Sequence, residues 1–103
     1  MSTSISSCSA LITKHFQLPE EELANFQSSK QELEEALASI INNLLNQDMP
    51  RLMNAFYKID LDEMVFKEII TKAAPDELAI VLAREVVKRE LQKVETREKY
   101  RNF

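Results

Sequence analysis

The stretch SKQELEEALASIINNLL, residues 29–45, carries apolar residues at Leu33, Ala36, Leu37, Ile40, Ile41, Leu44 and Leu45. Steps of three and four put these side chains on one face of an α-helix. Ser29 and Glu32 stand at its start with capping-box spacing. In that box the hydroxyl accepts one orphan N–H of the first turn, and the carboxylate reaches back to another. Asn46, Gln47 and Asp48 close the segment.

The same pattern recurs on the C-terminal side. Asp48 and Pro50 open a shorter helix holding Leu52, Met53, Phe56 and Tyr57. The run FYKIDLDEMVF, residues 56–66, then sets Asp60, Asp62 and Glu63 among apolar residues. Asp60 and Glu63 again have capping-box spacing, and Leu61, Met64, Val65, Ile69 and Ile70 follow at helical intervals, so the acids are expected to start a third helix. Pro75, Asp76 and Glu77 begin the last one, because proline presets φ and acids complement exposed N–H groups. It is expected to run to about residue 99. Apolar nearly all round from Leu78 to Ala83, it narrows to a stripe of Val86, Val87, Leu91 and Val94. About 25 residues at 1.5 Å each reach on the order of 37 Å, against a radius of gyration of ~13 Å for such a domain. This helix is expected to overhang the body.

Towards the N-terminus the signal weakens. Residues 1–9 are rich in Ser and Thr and are expected to form a flexible tail. Leu11, Ile12, Phe16 and Leu18 precede Pro19 and the acids Glu20 to Glu22, which suggests a short helix at roughly 19–26 burying Leu23 and Phe26. The fold class is therefore all-α: a small bundle of four main helices, with a short fifth near the N-terminus and a long C-terminal helix. Residues 10–103 form a single helical domain.

Composition narrows the function classes. The 103 residues include no glycine. Phosphate-binding loops and dinucleotide fingerprints need bare backbone and are excluded, as is the G-x-S-x-G nucleophile elbow. The net charge of −4 argues against a nonspecific nucleic-acid binder. The charge is uneven: residues 1–50 carry two bases and seven acids, a net of −5, and residues 51–103 carry eleven and ten, a net of +1. The single cysteine, Cys8, cannot form an internal disulfide, which fits a reducing cytoplasm. The N-terminus lacks the basic and apolar regions of a signal peptide. No run approaches the ~20 apolar residues of a membrane span.

Candidate chemistry meets a plainer reading at each place. Asp60, Asp62 and Glu63 superficially resemble a calcium loop, but Val65 and Thr71 stand where the loop needs Gly and Glu; capping is the expected role. Cys8 and His15 are two potential zinc ligands where several are needed, and as a nucleophile and base they would sit in a tail without rigid support. Adjacent carboxylates such as Glu34 and Glu35 diverge on a helix. Met49, Met53, Met64, Phe56, Tyr57 and Phe66 make a soft cluster that is expected to fill the core rather than a binding groove. Bases crowd the C-terminal helix (Arg84, Lys88, Arg89, Lys93, Arg97, Lys99, Arg101), but Glu85, Glu90, Glu95 and Glu98 interleave with them. The expected result is a solvated, self-paired surface.

The function these residues favour is a non-catalytic protein–protein interaction module, with no enzyme activity, cofactor or metal. It is expected to be cytoplasmic and to associate with itself, as a dimer, or with a helical partner. The expected interface is the C-terminal helix: Val87, Leu91 and Val94, rimmed by Arg84, Lys88 and Glu95, with Tyr100 at its end. The rival is a nucleic-acid accessory protein using the basic C-terminal tip.

Overall fold

The computed structural model describes residues 2–101, with side chains from Ser4 to Lys99. Five helices follow one another: α1 (Ser2–Phe16), α2 (Lys30–Gln47), α3 (Met49–Ile59), α4 (Glu63–Lys72) and α5 (Leu78–Arg101). No strand occurs among the described residues, and none of their helices is long and apolar enough to cross a membrane. The long C-terminal helix is the hub of the bundle, since α5 packs against each of the other four. Its 24 residues reach about 36 Å, most of the 42 Å long dimension of the molecule. Beyond Val94 none of its described side chains is buried.

The stripe on α2 buries Leu33, Leu37, Ile41 and Leu44. Ser29 caps this helix by accepting from Glu32 N–H at 3.1 Å. The carboxylate of Glu32 reaches back one residue further than the box requires, accepting from Ser28 N–H at 3.1 Å and Ser28 O–H at 2.6 Å. Those donors hold the Glu32 carboxyl below its ordinary range. Asp48 then turns the chain in a single residue. Its N–H closes α2 on Leu44 O at 2.8 Å, and its carboxylate caps α3 through Arg51 N–H at 3.2 Å.

Residues 2–9, expected to be a tail, instead form the first half of α1. Cys8, Ile12 and Phe16 are fully buried and Ser9 nearly so. The stripe escapes a hydropathy scan because two of its members are small: a buried cysteine behaves as a compact apolar residue, and Ser9 accepts a hydrogen bond from Gln27 at 3.1 Å. The short helix expected at 19–26 is a succession of turns, with Glu22, Ala24 and Phe26 N–H bonded three residues back. Leu23 is buried there, but Phe26 is 41% exposed.

Two helices end in left-handed residues without glycine, Gln17 with φ 57° and Asp60 with φ 65°. At the end of α1, Leu18 N–H bonds Thr13 O at 2.9 Å and Gln17 N–H bonds Lys14 O at 3.2 Å. At the end of α3, Leu61 N–H bonds Phe56 O and Asp60 N–H bonds Tyr57 O, both at 3.1 Å. These are Schellman pairings, which glycine usually serves. A non-glycine residue in that conformation costs about 1–2 kcal/mol. Each corner is met by a cation from another helix. Arg51 donates to Phe16 O at 3.0 Å and Gln17 O at 2.7 Å, and Lys93 donates to Ile59 O at 2.5 Å. Positive charge on terminal carbonyls opposes the negative end of the helix dipole.

The acids of residues 60–63 are thereby reassigned. Asp60 closes α3; the N-cap of α4 is Asp62, whose carboxylate accepts from Met64 N–H at 2.8 Å. The helix these acids were expected to start begins at Glu63. Likewise α5 begins at Leu78, after a turn at residues 75–77.

Candidate functional site

The residues expected to form an interface are mostly occupied within the chain. Val87 is fully buried and Val94 is 4% exposed; Leu91 packs partly buried against the same core. The reason is α1, whose Cys8, Ile12 and Phe16 share that core and whose Cys8 Sγ donates to Val87 O at 3.8 Å. Arg84 and Lys88 stay exposed, and Arg84 lies 3.9 Å from Glu34 on α2. The side chain of Tyr100 lies outside the described residues. Thus Val87 and Val94 offer no surface to a partner.

Sequence reasoning counted Glu90 among the surface acids, yet it is fully buried. It stands three residues after Val87 and four before Val94, on the apolar stripe itself, and that register is the signal that could have found it. Glu90 Oε2 lies 2.5 Å from His15 Nδ1. Oε1 lies 3.5 Å from Lys93 Nζ and makes no hydrogen bond. The cluster therefore joins α1 to α5 and, through Lys93, to the end of α3. An acid beside an imidazole can move protons when substrate reaches it. Here Cys8, His15 and Glu90 line none of four surface grooves among the described residues. The contacts of the cluster link α1 to α5 within the core.

Cys8 is shielded in the same way. Burial, assisted by the negative charge of Glu90 and opposed by Lys30, pushes its thiol up from 9.0 to about 12. At neutral pH this cuts the reactive thiolate about a thousandfold. Native protein is expected to resist alkylation by iodoacetamide, while the denatured chain labels fully; native labelling at the rate of a free thiol would show this site to be open. The raised value also sets a sign for stability. The contribution is complete below 9.0 and is lost as pH climbs towards about 12.

Cys8 and His15 are thus each engaged, and among the described residues no group of three or more His, Cys, Asp or Glu side chains converges as a metal site. Asp60 lies 3.4 Å from Arg89 and Glu63 lies 3.5 Å from Lys67. With Asp62 capping α4, the three acids serve three separate places.

The cluster expected in the core is largely outside it. Phe56 is buried, but Met49 is 39%, Met53 40%, Met64 74% and Tyr57 84% exposed. Phe66, partly buried, meets Phe56 edge to face with ring centroids 5.3 Å apart. Helix α4 has no buried residue and packs on α5, so α3 and α4 stand apart around that aromatic contact. Between them lies an open groove of about 280 Å³ lined by Met53, Phe56, Tyr57, Leu61, Glu63 and Phe66. Apolar side chains are left uncovered here because α3 buries only the face carrying Leu52, Ala55, Phe56 and Ile59. Met49, Met53 and Tyr57 run along its uncovered flank at i, i+4 and i+8.

No protein-family model, curated protein or solved structure matches this chain.

Proposed function

We propose that this chain is a non-catalytic helical interaction module and that it meets its protein partner on the α3–α4 face. The observation that carries this reading is the apolar groove lined by Met53, Leu61 and Phe66, with Tyr57 84% exposed at its edge. A large ring left in water beside flexible thioethers is costly surface for an unpartnered protein. Tyrosine is enriched at protein interfaces, and methionine adapts to the shape of what it meets. An amphipathic helix is the shape that fits between two splayed helices.

A different reading, contact with nucleic acid through the basic C-terminal end of α5, has weaker support. Arg89, Lys93 and Arg97 do line one groove of α5 with Gln92 and Thr96. However, Lys93 is held by Ile59 O and Glu90, and Arg89 lies against Asp60. Cations already engaged release fewer counterions from a phosphate chain.

The test is a nitrogen-15 NMR titration with a model peptide helix carrying leucine on one face and alternating lysine and glutamate on the other. Shifts confined to amides of α3 and α4, and lost in Tyr57→Glu, are the expected result. Shifts on α1 or the α5 tip, or none at all from protein that sediments as a monomer, would send the search elsewhere.

A further inference from the structure

We propose that the occupant of the α3–α4 face is a second copy of this chain, paired about a two-fold axis passing close to Met53. The inference rests on the interaction reading above and adds the identity of the partner. Two observations carry it, the size of the uncovered face and the balance of its charges.

Met49 is 39%, Met53 40%, Tyr57 84% and Ile70 43% exposed. Ile70 lies one turn beyond Phe66 on α4, outside the groove lining. At about 200 Å² for a fully exposed side chain of this size, Met49, Met53 and Tyr57 alone present on the order of 300 Å². One side of a standard interface hides about 800 Å², of which slightly more than half, about 450 Å², is apolar. The flank of α3 alone therefore offers about two thirds of the apolar share of one side of a dimer.

The rim decides between kinds of partner. Three acids, Asp60, Asp62 and Glu63, stand here with three bases, Lys58, Lys67 and Arg89, and two of the acids are paired, Asp60 with Arg89 at 3.4 Å and Glu63 with Lys67 at 3.5 Å. A face balanced in this way neither selects a strongly basic helix nor repels a copy of itself. A two-fold axis at Met53 lays the two α3 helices antiparallel. Each Met49 then meets the ring of the other copy's Tyr57, a favourable sulfur–aromatic contact, and the two helix dipoles oppose.

Sedimentation equilibrium of the full chain, from micromolar to near-millimolar concentration, tests the proposal. The mass is expected to rise from 11.9 kDa towards twice that value. Met53→Asp places two carboxylates across the axis and is expected to weaken association at least about tenfold; Met53→Lys does the same with two ammonium groups. An equal mixture of the two variants, opposite in sign across the axis, is expected to regain association, which also excludes simple unfolding. A wild-type mass fixed at 11.9 kDa, a dimer indifferent to both variants, or a mixture no tighter than its components would overturn the second-copy assignment. A monomer that still binds the leucine-faced peptide at α3 and α4 overturns only that assignment. A monomer with no peptide response overturns the interaction reading as well.

Discussion

Glu90→Ala lowers the free energy of unfolding by about 3 kcal/mol, as read by urea denaturation, and the melting temperature by on the order of 15 °C. The carboxylate is fully buried, and its removal strands the two groups it joins. The side chains of His15 and Lys93 are 18% and 28% exposed. Neither can rehydrate fully without lifting α1 or releasing the end of α3. Partial access to water keeps the loss at the lower end of what breaking a buried ion pair costs, about 3–5 kcal/mol. A double-mutant cycle with His15→Ala isolates the pair: coupling above about 0.5 kcal/mol is expected for groups in contact. A Glu90→Ala protein within about 1 kcal/mol of wild type would mean that the cluster fastens nothing.

Phe16→Ala is the second large effect. The ring is fully buried at the last turn of α1 and meets Phe56 of α3 edge to face, centroids 6.3 Å apart. Truncating a buried phenylalanine costs about 3–5 kcal/mol, part of it from the cavity left behind. Aromatic pairing adds about 0.5–1.5 kcal/mol to what area alone gives. The loss is expected in denaturant titrations, together with faster hydrogen exchange across residues 2–16. Were α1 a tail, the substitution would stay within about 0.5 kcal/mol.

How far the residues alone disclosed this molecule follows from how each segment signals. Leu33, Leu37, Ile41 and Leu44 repeat over several turns, and such a run has no other reading, so α2 and the helical class were legible. Helix α1 was not, because Cys8 and Ser9 occupy core positions without looking apolar and because its stop is Gln17, where glycine or asparagine ordinarily marks an end. Overlooking α1 made Val87 and Val94 look like uncovered surface. The opposite error fell on Met53, Tyr57 and Met64. Apolar residues are presumed to be inside, and nothing in their spacing reveals that α4 leans on α5 and leaves α3 with a bare flank. Glu90 was hidden by its own chemistry, since an acid among alternating charges reads as solvated unless its register with Val87 and Val94 is checked.

The two cation-sealed corners have a consequence for how the chain acquires its shape. The last carbonyls of α1 are satisfied by Arg51, some 35 positions later, and those of α3 by Lys93, 34 positions later. Each helix borrows its finishing piece from one that emerges afterwards during synthesis, and the borrowing ends only with α5. An emerging polypeptide therefore closes α1 only once Arg51 has appeared and α3 only once Lys93 has, so the second corner waits for the last helix. Such an arrangement favours a single cooperative transition over independently stable fragments, because α3, which seals α1, is itself sealed only by α5.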